Sequence, residues 1–126
     1  MGPVSSHHVV PYRDEHLAMD FDQQVAAVDG ERMILTRKEY DLLALLVQHA
    51  GEIIPREALL MQVWGYGVDI RTRTLDVHVR RLRKKLGGYA DVYIETIFGI
   101  GYRFQPFGSA RFFQPPISKP AIALGA

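Results

Sequence analysis

The side chains with the clearest chemistry in this sequence are the cations clustered between Arg71 and Lys85. This segment holds seven Lys and Arg side chains and a single carboxylate, that of Asp76, so its formal charge is +6. The whole 126-residue chain carries only +1, and the residues outside the segment therefore sum to −5. Such an asymmetry is typical of a surface that binds a polyanion, although a solvated helix face is the alternative that charge alone leaves open.

The periodicity of the same segment favours nucleic-acid binding over a solvated face. On a helical wheel, one narrow apolar stripe is formed by Leu75, Val79, Leu82 and Leu86. The opposite face carries Arg73, Val77, Arg80 and Lys84. Asp76 and Arg81 flank that basic face, and Asp76 lies near the helix N-terminus, where the helix dipole favours an acid. A helix anchored by one stripe and basic on the other fits the DNA major groove, where Arg pairs with guanine and Val touches a thymine methyl group.

Catalytic and metal chemistry is not indicated. The chain has no cysteine, which excludes a disulfide framework, a Cys-ligated zinc site and a thiol nucleophile. Its five histidines, without the spacing of a zinc hydrolase or of a Ser-His-Asp triad, are His7, His8, His16, His49 and His78. The segment Gly99-Ile100-Gly101 lacks the rest of a dinucleotide fingerprint. We therefore predict that the protein is not an enzyme and holds neither a cofactor nor a metal.

The elements before the basic helix form a small sheet and two helices. Alternation at Leu17, Met19 and Phe21 predicts a strand, and Asp29-Gly30 predicts a hairpin turn in which both residues have positive φ. Residues Thr36 and Glu39 match a capping box, so a first helix begins there and ends near Gly51. Three further predictions cover a short strand at Ile53-Ile54, a second helix from Pro55 to Gly65, and a third helix capped by Thr72 and ending at Leu86.

A hairpin follows the basic helix and is interpreted as a wing. Residues 92–97 and 102–104 are predicted strands, joined by the tip Phe98-Gly99-Ile100-Gly101. We expect Phe98 to pack against its own domain, with a contact to sugar edges or a wedge at a base step as the alternatives. The predicted fold class is α+β, a winged helix-turn-helix with an N-terminal antiparallel β-sheet, three helices and a C-terminal β-hairpin wing.

The predicted organisation is a single domain with two flanking segments. Residues 1–12 are interpreted as a linker or expression-tag remnant, residues 13–106 as the winged-helix domain, and residues 107–126 as a Pro- and Phe-containing tail. The longest apolar run, Leu42–Val47, is far shorter than the roughly 20 residues needed to cross a bilayer. The first residues lack the features of a signal peptide. We therefore expect a cytoplasmic protein with no membrane partner.

Four motifs together carry a family resemblance: Leu35-Thr36-Arg37-Lys38-Glu39-Tyr40-Asp41-Leu42-Leu43, Val63-Trp64-Gly65, the run from Arg73-Thr74-Leu75-Asp76 to Leu86, and Gly99-Ile100-Gly101-Tyr102-Arg103-Phe104. In this order and at this spacing, residues 17–104 resemble the winged-helix effector domain of OmpR/PhoB-type response regulators. The resemblance implies a transcription factor that binds double-stranded DNA at direct-repeat half-sites as a head-to-tail homodimer. It also implies RNA polymerase as a partner through the loop at residues 65–71, and an upstream receiver domain that a histidine kinase phosphorylates.

The resemblance further implies roles for individual residues. Phosphate contacts correspond to Trp64, Arg73, His78, Arg80, Arg83, Thr96 and Tyr102, and the basic face adds Lys84. Base-reading positions correspond to Asp76, Val77 and Arg81. The wing tip corresponds to Phe98, Gly99 and Ile100. For His78 simple packing is the alternative, and for Arg83 a backbone contact or a structural salt bridge.

Phe98 marks a departure from the family, because many members have an arginine at this position, which enters the minor groove. A neutral ring supplies no cation to a narrow A·T-rich groove. The competing interpretation of the whole chain is a winged helix that binds proteins, using Phe98, Ile100 and the tail pair Phe112-Phe113 as an apolar docking surface.

Overall fold

The computed structural model describes residues 10–65, 72–108 and 111–112, and the chain forms two compact units. The first unit comprises Met1–Met33 with Gly108–Ala126, and the second comprises Ile34–Phe107. The predictions for residues 1–9, for the loop at 66–71 and for residues 113–126 lie outside the described residues. The secondary structure in chain order is β1 Tyr12–Arg13, β2 Leu17–Asp20, β3 Val25–Val28, β4 Glu31–Arg32, α1 Arg37–Gln48, β5 Ile53–Pro55, α2 Arg56–Trp64, α3 Thr72–Leu86, a 3₁₀ turn Gly87–Tyr89, α4 Ala90–Tyr93, β6 Ile94–Ile97, β7 Gly101–Phe104 and β8 Arg111–Phe112.

The first unit is an antiparallel sheet with the strand order β4-β3-β2-β1-β8. Alternation places Leu17 and Met19 on its buried side, as the pattern predicts, together with Tyr12 and Ala26. The predicted turn between β3 and β4 is confirmed, because φ is 50° at Asp29 and 83° at Gly30. Both residues therefore have the positive φ that a tight two-residue hairpin needs.

The fifth strand comes from the segment that the sequence predicts to be a tail. Tyr12 pairs with Phe112 and Arg13 with Arg111, so β8 extends the sheet at the edge of β1. The boundary predicted between residues 12 and 13 thus lies within β1, and the segment predicted as a tail contributes β8 to the same sheet. Sequence patterns report local periodicity, and a two-residue strand paired across a hundred positions leaves no such signal.

The second unit begins with a helix whose start is confirmed in detail. The Thr36 hydroxyl accepts a hydrogen bond from the Glu39 amide at 3.2 Å, and the Thr36 amide donates to the Glu39 carboxylate at 3.0 Å. This is the reciprocal capping box that the sequence predicts. Helices α1, α2 and α3 pack on one another and bury mainly aliphatic side chains: Leu42, Leu43, Leu46, Val47, Leu59, Val63, Leu75, Val79, Leu82 and Leu86.

Two helix starts differ from the prediction by one residue. Pro55 is the N-cap of α2 rather than its first residue, and Thr72 is the first residue of α3 rather than its cap. Helix α2 ends at Gly65, as predicted, with φ of 99°. None of the helices in the described ranges is long and apolar enough to cross a membrane.

The wing is a three-stranded antiparallel sheet with the order β5-β7-β6, and its first strand is the one predicted at Ile53-Ile54. Gly101 of β7 is paired with Pro55 of β5, and the two backbones lie very close together there. A Cβ atom on Gly101 would lie 1.9 Å from the carbonyl oxygen of Ile54. This position therefore requires glycine for steric reasons.

The predicted strand from Val92 is too long at its start, because residues 90–93 form the one-turn helix α4. The turn directs the Tyr93 ring into the core, where it is fully buried and stacks on Phe104 with ring centroids 5.4 Å apart. The Ile94 amide completes the turn by donating to the Ala90 carbonyl. Tertiary packing thus overrides the strand propensity of Val92 and Tyr93.

Candidate nucleic-acid interface

Helix α3 separates its apolar and basic residues as the helical wheel predicts. Leu75, Val79, Leu82 and Leu86 are at most 1% exposed. The exposed side of the helix carries four cations: Arg73, Arg80, Arg81 and Lys84. The helix is therefore held by one stripe and presents positive charge to solvent on the other, over a length of about 20 Å.

The N-terminal half of this exposed side forms a shallow depression of about 320 Å³. The described residues that line it are Arg73, Thr74, Val77, His78 and Arg81. For four of the five, the family resemblance implies base or phosphate contacts. Cationic and methyl groups side by side are the combination that reads guanine and thymine edges.

Asp76 is held by two partners from outside α3. Its Oδ1 accepts hydrogen bonds from the Arg56 guanidinium at 2.5 Å and from the Tyr102 hydroxyl at 2.8 Å. Partial burial acts to raise the pKa of Asp76, but these hydrogen bonds and the charges of Arg56 and Arg73 outweigh it, so the pKa lies below its ordinary value. Oδ2 carries neither bond, and the side chain is 48% exposed.

Arg83 connects α3 to the wing. Its guanidinium donates to the Ile94 carbonyl at 2.7 Å and to the Thr96 hydroxyl at 2.8 Å, and it lies 5.8 Å from the centre of the Tyr102 ring. The Arg83 Nε atom is buried and has no hydrogen-bond partner. Through these contacts Arg83 and Thr96 fix the wing strand β6 against α3.

Trp64 and His78 meet edge to face, with ring centroids 4.8 Å apart. The Nδ1 atom of His78 lies 2.8 Å from the Thr74 carbonyl oxygen. Because a carbonyl oxygen only accepts hydrogen bonds, Nδ1 is the donor in this contact. The pair thus packs the end of α2 against α3, which brings both predicted phosphate ligands to one place.

Glu39 and Arg56 position α3, a role that the sequence analysis assigns to neither residue. Glu39, 2% exposed, accepts a hydrogen bond of 2.6 Å from the Lys85 ammonium group. Burial raises the pKa of Glu39, but the bonds from Lys85 and the Thr36 amide outweigh this effect and leave the pKa lowered. Arg56 holds Asp76 as described above. The capping box was the only sequence signal for Glu39, and Arg56 had no signal. Their partners, Lys85 and Asp76, lie at least 20 positions away in the sequence.

The wing tip is exposed, and the expectation that Phe98 packs against its own domain is wrong. The Phe98 side chain is 91% exposed and Ile100 is 50% exposed. Gly99 between them has a φ of +79°, which directs the chain back into β7. Phe98 is the first residue of the three-residue turn that joins β6 to β7, and its side chain does not pack on the core.

No group of three or more potential metal-ligating side chains occurs within the described part of the chain. The exposed side chains of α3 are mainly cationic, with the single carboxylate of Asp76, and those of the wing tip are aromatic and aliphatic. The arrangement can bind an extended anion along α3 and apolar surface at the wing tip.

The sequence and the fold both match transcriptional regulators. The family model described as "Transcriptional regulatory protein, C terminal" matches residues 30–104. Response regulator ArlR of Staphylococcus saprophyticus is 41% identical over 87 residues, which cover 68% of this chain and 40% of ArlR. The chain thus spans about 40% of the length of the ArlR relatives that it matches.

Solved structures show the same fold. The Klebsiella pneumoniae RstA DNA-binding domain in complex with the RstA box aligns with a TM-score of 0.68 and 34% identity, over 76% of this chain and 97% of that one. DrrB of Thermotoga maritima, an OmpR/PhoB homolog, aligns with a TM-score of 0.71 and 29% identity, over 81% of this chain and 47% of DrrB. The predicted winged helix-turn-helix architecture is therefore confirmed.

Proposed function

Because the chain belongs to the family of C-terminal domains of transcriptional regulatory proteins, of the OmpR/PhoB type, we propose that it binds duplex DNA sequence-specifically as the effector domain of a two-component response regulator. This is a family of regulatory domains, not of enzymes. The observation that carries the proposal is the exposed basic side of α3, backed by a completely buried apolar stripe. A helix held so firmly can present its cations at fixed positions.

In this proposal α3 lies in the major groove and its exposed residues read bases. Arg81 pairs with a guanine through O6 and N7, and Val77 contacts a thymine methyl group. Asp76 accepts a hydrogen bond from cytosine N4 through Oδ2, while Arg56 and Tyr102 hold Oδ1.

The phosphate contacts divide into two groups. Arg73, Arg80 and Lys84 are exposed and contact phosphate oxygens directly as cations. The other proposed contacts come from residues with internal partners: Trp64, His78, Arg83, Thr96 and Tyr102. We expect Arg83 to act mainly by positioning β6, since its guanidinium donates hydrogen bonds to Ile94 and Thr96 of the wing.

We further propose the partners of the longer protein. Since the curated relatives are about two and a half times as long as their matched part and are named response regulators, a receiver domain and a histidine kinase are inferred upstream. A homodimer on direct-repeat half-sites, RNA polymerase as a partner through residues 65–71, and a cytoplasmic location complete the proposal. The winged-helix protein-interaction module is not favoured.

A salt titration of duplex binding tests the proposal. About six phosphate contacts predict that log K falls with log salt concentration with a slope of roughly −5. Arg80→Ala should reduce that slope by about one. The measurement is fluorescence anisotropy of a labelled duplex between low and physiological salt.

Arg103→Gln is the matched control. Arg103 pairs with Glu95 on the side of the wing sheet opposite Thr96 and Tyr102, which face α3. Removing its charge should leave the slope unchanged. A slope near zero for the unmodified protein would contradict phosphate binding, because docking through apolar surface does not weaken steeply with salt.

A further inference from the structure

We propose that Phe98 acts as an apolar wedge that inserts at a base step in the minor groove beside the half-site. The inference rests on the proposed DNA binding and adds to it a contact and a sequence preference. Where many family members have an arginine at the wing tip, this chain has an apolar ring that would unstack bases.

The wing tip offers DNA only apolar groups. Residues 97–101 are Ile, Phe, Gly, Ile and Gly, without a charged or hydrogen-bonding side chain. Phe98 is 91% exposed and Ile100 is 50% exposed. Covering a large ring and a neighbouring aliphatic side chain with an apolar surface lowers the free energy. The charged phosphate backbone does not offer such a surface. The base pairs behind the backbone have apolar stacked faces and can cover these side chains.

The backbone holds the tip in one position. The Ile100 amide donates to the Ile97 carbonyl at 2.9 Å, and the Ile100 carbonyl accepts from the Arg56 amide at 3.0 Å. The tip is thereby tied to the start of α2 as well as to its own strands. Ordering before binding reduces the entropy that insertion would cost.

Hydrogen bonds between α3 and the wing strands place the tip beside the groove that α3 occupies in the proposed complex. Arg83 binds Thr96 and Ile94 in β6, and Asp76 binds Tyr102 in β7, so both wing strands lie along the flank of α3. With α3 in the major groove, an element on its flank meets the phosphate backbone that separates the two grooves. Phe98 extends two residues beyond Thr96, about 7 Å along the strand, and reaches past this backbone towards the minor groove.

Apolar insertion has a chemical signature that a cation lacks. Phe, Leu, Ile and Met side chains inserted between base steps in the minor groove unstack them and kink the duplex. The cost is lowest at pyrimidine–purine steps such as TA and CA. We therefore expect a flexible step beside the half-site, rather than the stiff A·T tract that an arginine would favour.

The test uses a duplex that carries the half-site found by selecting bound sequences from a random duplex pool, with 2-aminopurine at the adjacent base step. Binding of the unmodified protein should raise the 2-aminopurine fluorescence, since unstacking removes quenching. Phe98→Ala should abolish the increase and weaken binding roughly five- to tenfold, in line with the loss of one aromatic–base contact. The salt slope should stay unchanged, because no charge is removed.

Two further variants serve as controls at the same exposed position. Phe98→Leu retains an apolar wedge and should keep part of the fluorescence increase. Phe98→Arg should lose the increase and steepen the salt slope by about one charge. Equal thermal unfolding temperatures of the four proteins show that the changes act on binding.

Three results would overturn the wedge. The first is normal duplex binding without a fluorescence increase, together with equal affinities of the unmodified protein and Phe98→Ala. This result would refute the wedge and leave the proposed DNA binding intact. Reduced cooperativity between two half-sites in Phe98→Ala, again without unstacking, would assign the tip to a second copy of the chain. Absence of duplex binding at low salt would refute both the wedge and the proposed function.

Discussion

Gly101→Ala should lower the free energy of unfolding by about 3 kcal/mol, the upper range of an overpacked site. The added Cβ would lie 1.9 Å from the Ile54 carbonyl oxygen and 2.9 Å from the Pro55 Cα atom. Both obstacles belong to the backbone of β5, so no side chain can turn aside to make room. The strands must separate, which breaks the pairing of β5 with β7 and loosens the wing.

Two other glycines provide matched controls. Gly99→Ala meets no atom within 4 Å but has a φ of +79°, so it should cost about 1 kcal/mol through backbone strain. Gly88→Ala also meets no atom within 4 Å and lies outside the left-handed region, so it should change stability little. Urea unfolding followed by circular dichroism measures all three. Equal stability of the Gly101 and Gly88 variants would contradict the close approach of β5 and β7.

Arg81→Ala should cost about 1–3 kcal/mol of affinity for the specific site and relax the preference at one base pair. Arg73→Ala should instead weaken binding to specific and random duplexes by the same factor. Both side chains are exposed and line the same depression, so the difference tests their roles rather than their accessibility. Competition binding with the two duplexes measures it.

Arg81→Lys separates charge from geometry at the same position. An ammonium group keeps the positive charge but loses the planar pair of donors that matches guanine. We expect the salt slope to stay constant and the preference at that base pair to fall. If Arg81→Ala and Arg73→Ala change the affinities for both duplexes in the same ratio, the assigned roles are wrong.

The features predicted correctly from the sequence are those with local causes. The capping box depends on Thr36 and Glu39, three positions apart, and the hairpin depends on the adjacent pair Asp29-Gly30. The buried stripe of α3 follows from its own helical period. In each case the residues that decide the structure lie within a few positions, where propensity and periodicity can be read.

The features that the sequence does not reveal depend on residues far apart in the chain. The Glu39–Lys85 and Arg56–Asp76 pairs join residues 46 and 20 positions apart. The helical turn at Tyr93 arises because its ring stacks on Phe104. The Phe98 prediction is wrong because the exposure of a loop residue depends on which elements surround the tip, and no local pattern encodes that.

Selection of bound sequences from a random duplex pool tests the central claim most directly. The protein is mixed with the pool at moderate salt, and the retained duplexes are amplified and sequenced over several rounds. The proposed function predicts enrichment of one half-site, repeated in the same orientation at fixed spacing, with a guanine at the position that Arg81 reads. A retained pool with the same base composition as the starting pool at every position would contradict sequence-specific DNA binding.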